Sequence, residues 1–115
     1  MTEFEQIRQC VDNFARERDW DQFHSPKNLV MALSVEVAEL MEVFQWLSEQ
    51  QSRNLTAEQS AAVAHEIADI QVYLVRIADK LKIDIGAAVN AKMRINAEKY
   101  PADKVRGSAR KYSDY

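Results

Sequence analysis

Glu36 and Glu39 stand three residues apart in Ser34-Val-Glu-Val-Ala-Glu-Leu40, and Glu66 and Asp69 repeat that spacing in His65-Glu-Ile-Ala-Asp-Ile70. On a helix this spacing puts both carboxylates of a pair on neighbouring rungs of one face. Two such pairs on facing helices make one cluster of oxygen ligands. Clustered carboxylates repel one another and lose hydration, so they need a cation to stay ionised. A carboxylate-only set suits Mg²⁺, with Mn²⁺ as a substitute, over zinc or copper. A ferritin-like di-iron centre instead wants Glu-x-x-His pairs, and the second member of each pair here is Glu39 or Asp69, not histidine. Mg²⁺ in a carboxylate-rich pocket meets substrate phosphates and keeps some of its water. Attack of a polarised water on phosphorus is the matching chemistry.

Four helical segments are expected to position these groups. The first covers residues 2–18, with Phe4, Ile7, Val11 and Phe14 as its apolar stripe. Residues 19–24 read as a connector carrying aromatics. Ser25-Pro26 is a good helix start, a cap followed by a proline that loses no hydrogen bond there. That second helix reaches residues 46–48, and residues 50–54 read as a polar connection. Thr56-Ala-Glu-Gln59 has the capping-box pattern and opens a third helix that lasts to about Leu81. Asp84 caps a fourth, which ends near Lys99 before Pro101. Residues after Ala102 are polar and read as irregular. The expected architecture is all-α, a four-helix antiparallel bundle, with residues 1–101 as one domain and 102–115 as a polar tail.

At alternating steps of four and three the second helix shows Leu29, Leu33, Glu36, Leu40, Val43 and Leu47. Glu36 breaks an otherwise apolar seam, where a charge costs several kcal/mol unless paired or ion-bound. The third helix gives Val63, Ile67, Ile70, Leu74, Ile77 and Leu81, with Glu66, Asp69 and Tyr73 as a polar line beside them. The fourth begins as core at Ile85 and Val89 and turns cationic at Lys92, Asn96 and Lys99. Acids on two helices and cations on a third suit a divalent ion and an anionic, phosphate-bearing ligand.

The rest of the chain narrows the class. With 115 residues it holds one modest core. Two glycines and two prolines are too few for a β-rich fold full of tight turns. The net charge of −3 and the lack of a basic face argue against binding to a nucleic acid polymer or an anionic membrane. The short basic stretch at 104–111 is the exception. A single cysteine, Cys10, allows neither an intramolecular disulfide nor a thiolate zinc site. No apolar run is long enough to span a bilayer, and the N-terminus lacks the order of a signal peptide, so the expected location is cytoplasmic.

Glu36-x-x-Glu39 and Glu66-x-x-Asp69 resemble the metal motif of the all-α nucleoside triphosphate pyrophosphohydrolases, the MazG-like superfamily. Further blocks resemble its dCTP pyrophosphatase branch: Arg18-Asp-Trp-Asp-Gln-Phe-His-Ser-Pro-Lys-Asn-Leu29, Glu42-Val-Phe-Gln-Trp46, Asp69-Ile-Gln-Val-Tyr-Leu-Val75, Lys92-Met-Arg-Ile-Asn-Ala-Glu-Lys-Tyr-Pro101 and Arg106-Gly-Ser-Ala-Arg-Lys-Tyr112. The resemblance implies that Glu36, Glu39, Glu66 and Asp69 hold Mg²⁺ and do the catalytic work, with water directed at the α-phosphorus. A nucleoside triphosphate, dCTP or a modified dCTP, then yields the monophosphate and pyrophosphate, in service of nucleotide pool sanitation. Trp20 and Trp46 match aromatics around the base, and Tyr73 and Asn96 match residues near sugar and base. Lys92, Lys99, Arg106, Arg110 and Lys111 suit phosphate by charge. His24 lies in a matching block without an assigned role. The resemblance also implies a homodimer or homotetramer. The competing reading is a non-catalytic helical interaction domain, with the acids as a solvated face and the aromatics as an interface.

Overall fold

Hydroxyl side chains start the first four helices of the chain. A computed structural model describes residues 1–110 and Ser113, and its regular structure is entirely helical. Thr2 caps α1 (Glu3–Glu17) and forms a capping box with Glu5. Ser25 caps α2 (Pro26–Phe44), with Pro26 in the first turn. Ser48 and Gln51 form the box of α3 (Glu49–Arg53), and Thr56 and Gln59 that of α4 (Ala57–Lys80). Asp84 caps α5 (Ile85–Lys99) by accepting from the Ala87 amide, and α6 spans Ala102–Val105. In each cap an oxygen satisfies an amide that the helix itself leaves unpaired.

Two helices end without glycine. Asp19 and Lys82 take left-handed φ values of 55° and 57°. After α1 the Trp20 amide donates to the Ala15 carbonyl and the Asp19 amide to that of Arg16. After α4 Ile83 and Lys82 repeat the pattern on Ala78 and Asp79. Both are Schellman ends. They reverse the chain sharply, and the first sets Trp20 at the mouth of a short 3-10 turn, Asp21–Phe23.

The chain divides into two compact units, Met1–Ile83 and Asp84–Tyr115. In the first, α4 packs along α2 and, less extensively, along α1. Ala15, Leu29, Val75 and Ala78 are its buried apolar residues, and Arg76 is buried among them. The second unit holds α5 and α6. On α5, Ile85 and Asn96 are half-buried, whereas Val89, Lys92 and Lys99 are exposed.

The stripe expected on α2 lies inward throughout: Leu29 is buried and Leu33, Glu36, Leu40, Val43 and Leu47 are half-buried. The seam expected on α4 is corrected. Val63, Ile70 and Ile77 face inward, but Ile67, Leu74 and Leu81 are exposed. The inward face is centred instead on a line that includes Glu66, Tyr73 and Lys80, all half-buried. Apolar residues populate two faces of α4, so their spacing alone does not say which faces the core. Two more expectations are corrected. α3 overlaps the segment read as a polar connection, and α6 overlaps the segment read as irregular.

Candidate metal centre

The acids are brought together by the most extensively packed pair of helices. Glu36 and Glu39 project from α2, Glu66 and Asp69 from α4. One carboxylate oxygen from each of Glu36, Glu39 and Glu66 lies within 4.8 Å of the other two. Asp69 falls outside that set, yet its charge still acts on Glu36 and Tyr73.

Oε2 of Glu36 and Oε2 of Glu66 are both buried and have no hydrogen-bond partner. A buried oxygen without a donor carries its full desolvation cost, about 1–3 kcal/mol and more when charged. The structure answers part of that cost through protonation. Burial first, then the adjacent carboxyls of Glu66 and Glu39 and the charges of Glu39 and Asp69, push the Glu36 carboxyl up to about 7. A divalent cation answers it better, because it offers positive charge to all the oxygens at once. Hard oxygen donors, two of them buried and unpaired, therefore fit Mg²⁺ or Mn²⁺.

Tyr73 sits one turn beyond Asp69 and is half-buried. Burial raises its hydroxyl pKa, and the charges of Glu36, Asp69 and Glu39 raise it further. A neutral hydroxyl that can donate therefore borders the acids. The next step along the same line is Arg76, which sequence reasoning missed. Its guanidinium is 2% exposed and donates to Asp12 Oδ1 at 2.6 Å, Asp21 Oδ1 at 2.7 Å and His24 Nδ1 at 3.2 Å. Lys80 also bonds Asp21. Glu66, Asp69, Tyr73, Arg76 and Lys80 thus follow at steps of three and four. Extending the polar line already visible at Glu66, Asp69 and Tyr73 by two such steps finds both missed residues.

The remaining candidates are placed as follows. Trp20 is 46% exposed and packs edge-on against Phe14, with ring centres 5.7 Å apart. The Arg18 guanidinium covers the Phe14 ring at 3.6 Å. Trp46, just past α2, is 87% exposed. His24 is half-buried, and burial and the Arg76 charge lower its pKa. Lys92, Asn96, Lys99, Arg106 and Arg110 belong to the second unit. There Asn96 donates weakly to the Met93 sulfur and Arg110 Nε to Ser108 Oγ. Lys111 lies outside the described residues. A groove lined by Glu3, Phe4, Ile7 and Gln71 on α1 and α4 contains none of these candidates.

The MazG-like family matches residues 31–115. dCTP pyrophosphatase 1 of Homo sapiens is 43% identical over 112 residues, covering 96% of this chain and 66% of that protein. Its counterpart in Mus musculus is 44% identical over the same lengths. The chain therefore spans about two thirds of these relatives. The crystal structure of a pyrophosphatase from Archaeoglobus fulgidus superposes with a TM-score of 0.82 at 36% identity, covering 88% of this chain and 94% of the other.

Proposed function

The chain belongs to the MazG-like family, and from that membership we propose that it is a nucleotide pyrophosphohydrolase that cleaves dCTP or a modified dCTP to the monophosphate and pyrophosphate. The observation that carries this reading is the meeting of Glu36, Glu39 and Glu66 within 4.8 Å, with two buried oxygens left unpaired. The name dCTP pyrophosphatase 1 on relatives 43–44% identical supports the base and the reaction.

Glu36, Glu39, Glu66 and Asp69 would hold a divalent ion, Mg²⁺ with Mn²⁺ as substitute, which would supply charge compensation for the triphosphate and activation of water. Glu36 and Glu66 would each offer the ion a buried oxygen that has no donor. Glu39 is exposed, can be reached by water and accepts the proton as that water bonds to the α-phosphorus. The bond from phosphorus to the bridging oxygen breaks, and pyrophosphate leaves with its electron pair. Tyr73 keeps its proton and donates toward sugar or base, and Asn96 is proposed as a further nucleotide-binding residue. Trp20 and Trp46 stack on the base, and His24 borders it. Lys92, Lys99, Arg106, Arg110 and Lys111 serve the phosphates.

In this reading residues 1–101 are the catalytic domain, a four-helix antiparallel bundle, and 102–115 form a polar tail. The working assembly is a homodimer or homotetramer. Val30, Met31, Val35, Val37 and Met41 on α2, and Ile67, Val72 and Leu74 on α4, are all exposed, which is more apolar helix surface than a solitary chain usually shows. Among the described residues no helix is long and apolar enough to cross a membrane, and we place the protein in the cytoplasm, acting in nucleotide pool sanitation.

Incubating the protein with each canonical and modified deoxynucleoside triphosphate, with and without Mg²⁺, tests the reading. Monophosphate and pyrophosphate are expected from the deoxycytidine compounds with Mg²⁺ alone. No such products from any triphosphate would sink it and leave the non-catalytic helical domain in its place.

A further inference from the structure

The largest fully buried side chain among the described residues is a charged one, Arg76. Burying a guanidinium is costly, and apolar side chains of similar volume often give equal stability. What Arg76 contributes is geometry. Its planar fork sets five N–H groups on three nitrogens at fixed angles, and each nitrogen is used by a residue from another segment. Nη1 reaches Asp12 on α1, while Nη2 and Nε reach Asp21 and His24 at either end of one short turn. Lys80 grips the same Asp21 carboxylate. Asp79 lies 3.6 Å from Nη1, and Arg16 shares Asp12 at 2.8 Å.

The turn held in this way runs from Trp20 to His24. Its near end is fixed by the Schellman bond from the Trp20 amide to Ala15, and its far end by the Asn28 side-chain amide, which donates to the Phe23 carbonyl at 3.0 Å. Arg76 ties Asp21 and His24 to α4, the helix that also carries Glu66 and Asp69. Its donation also has a chemical consequence for His24. Arginine has no acceptor and keeps its protons, so a bond from Nε–H requires a lone pair on His24 Nδ1. The single imidazole proton then sits on Nε2.

We propose that Arg76 is a positioning residue for nucleotide recognition: it locks the Trp20–His24 turn and fixes His24 as the neutral Nε2–H tautomer. The turn then presents the nucleotide with an aromatic face from Trp20 and one uncharged N–H donor from His24. An uncharged donor suits a carbonyl or ring nitrogen of a base, or a sugar oxygen, better than a phosphate, which favours cations. This proposal rests on the nucleotide reading above, but its first test does not need a nucleotide.

Long-range ¹H–¹⁵N NMR of the substrate-free protein, with His24 identified by its loss in His24→Gln, reads the tautomer directly. Near neutral pH the wild type is expected to show a bare Nδ1 and a protonated Nε2. In Arg76→Lys, which keeps the charge and loses the fork, the two tautomers are expected to mix. A protonated Nδ1 in the wild type, or unchanged signals in Arg76→Lys, overturns the proposal whether or not the protein turns out to be an enzyme. The second test is kinetic. Arg76→Lys is expected to raise the KM for dCTP about tenfold, the scale of one neutral hydrogen bond, with kcat within about threefold. Fluorescence of Trp20 in a Trp46→Phe background is expected to shift with it. Should Arg76→Lys not fold, Asp21→Asn releases one tie to the turn and carries both the kinetic and fluorescence tests. An unchanged KM and unchanged fluorescence in a folded variant contradict the positioning role. Absence of turnover in the wild type contradicts the nucleotide reading instead.

Discussion

Glu36→Gln is expected to make the metal-free protein more stable and the metal-loaded protein less so. Two unit charges 4.8 Å apart, the outer limit within this cluster, repel by ~0.9 kcal/mol in bulk water and ~3.5 kcal/mol at an effective dielectric of about 20. The rise of the Glu36 carboxyl from 4.5 to about 7 corresponds to ~3.4 kcal/mol at about 1.36 kcal/mol per unit. Glu36 is half-buried and Glu39 exposed, so screening by water brings the expected effect to ~2 kcal/mol. The folded carboxyl holds its proton more tightly than the unfolded one. The contribution of Glu36 to the stability of the metal-free protein is therefore fully present below about pH 4.5 and is lost as the pH rises through about 7. Glutamine has no proton to lose there. In chelator at about pH 8 the variant should melt higher than the wild type, at ~4–8 °C per kcal/mol for a chain of this size. The gap should close near about pH 5. Millimolar Mg²⁺ should reverse the order, since ligand at about 100 times its Kd adds ~2.7 kcal/mol to the form that binds it. Circular-dichroism melts at the two pH values, with chelator and with Mg²⁺, give all four comparisons. A variant that melts lower than the wild type in chelator at the higher pH would refute the reasoning. So would an equal rise with Mg²⁺ in both proteins.

Trp46→Ala should raise the KM for dCTP about tenfold to a hundredfold, the range of one lost base stack. Its melting temperature should stay put, because the ring is 87% exposed; steady-state kinetics and a thermal melt check both halves. Lys82→Gly should raise the unfolding free energy measured by urea titration by ~0.5 kcal/mol, since relief of the left-handed strain at φ 57° outweighs the added freedom of the unfolded chain. The hydrogen bond from Arg76, with help from Arg16, holds the Asp12 carboxyl below its ordinary 3.8. Stability from that group is present above about pH 3.8 and lost as the pH falls further. Asp12→Asn should therefore flatten the acid limb of a stability–pH curve measured by denaturant titration.

The acids and their helices were legible because the signals are local. Glu36 interrupts a six-member stripe that runs along α2 and ends at Leu47 just beyond it, and every member of that stripe lies inward in the structure. The caps at Ser25, Thr56 and Asp84 were legible for the same reason. The α3 cap was equally local: Ser48-Glu-Gln-Gln51 has the capping-box spacing, but the helix it opens is one turn long and has no apolar period to mark it. On α4 the apolar spacing misled, because Ile67, Leu74 and Leu81 form an exposed line beside the inward one. The outward line has the look of a core seam, and only packing against α2 and α1 separates the two. Arg76 continues the polar line of α4, but the partners that define its role lay beyond any local rule. Its partners Asp12, Asp21 and His24 stand 64, 55 and 52 residues away in the chain, so no short spacing joins them. Seen alone between Val75 and Ile77, it reads as a surface arginine on an amphipathic helix.

Turnover of dCTP in ¹⁸O-enriched water, followed by mass spectrometry of both products, tests the central claim most directly. Attack on the α-phosphorus at the Glu36–Glu39–Glu66 cluster predicts label in the deoxycytidine monophosphate, none in the pyrophosphate, and no reaction without a divalent ion. Label in pyrophosphate, release of orthophosphate and dCDP, or an absence of turnover with Mg²⁺ present would contradict it.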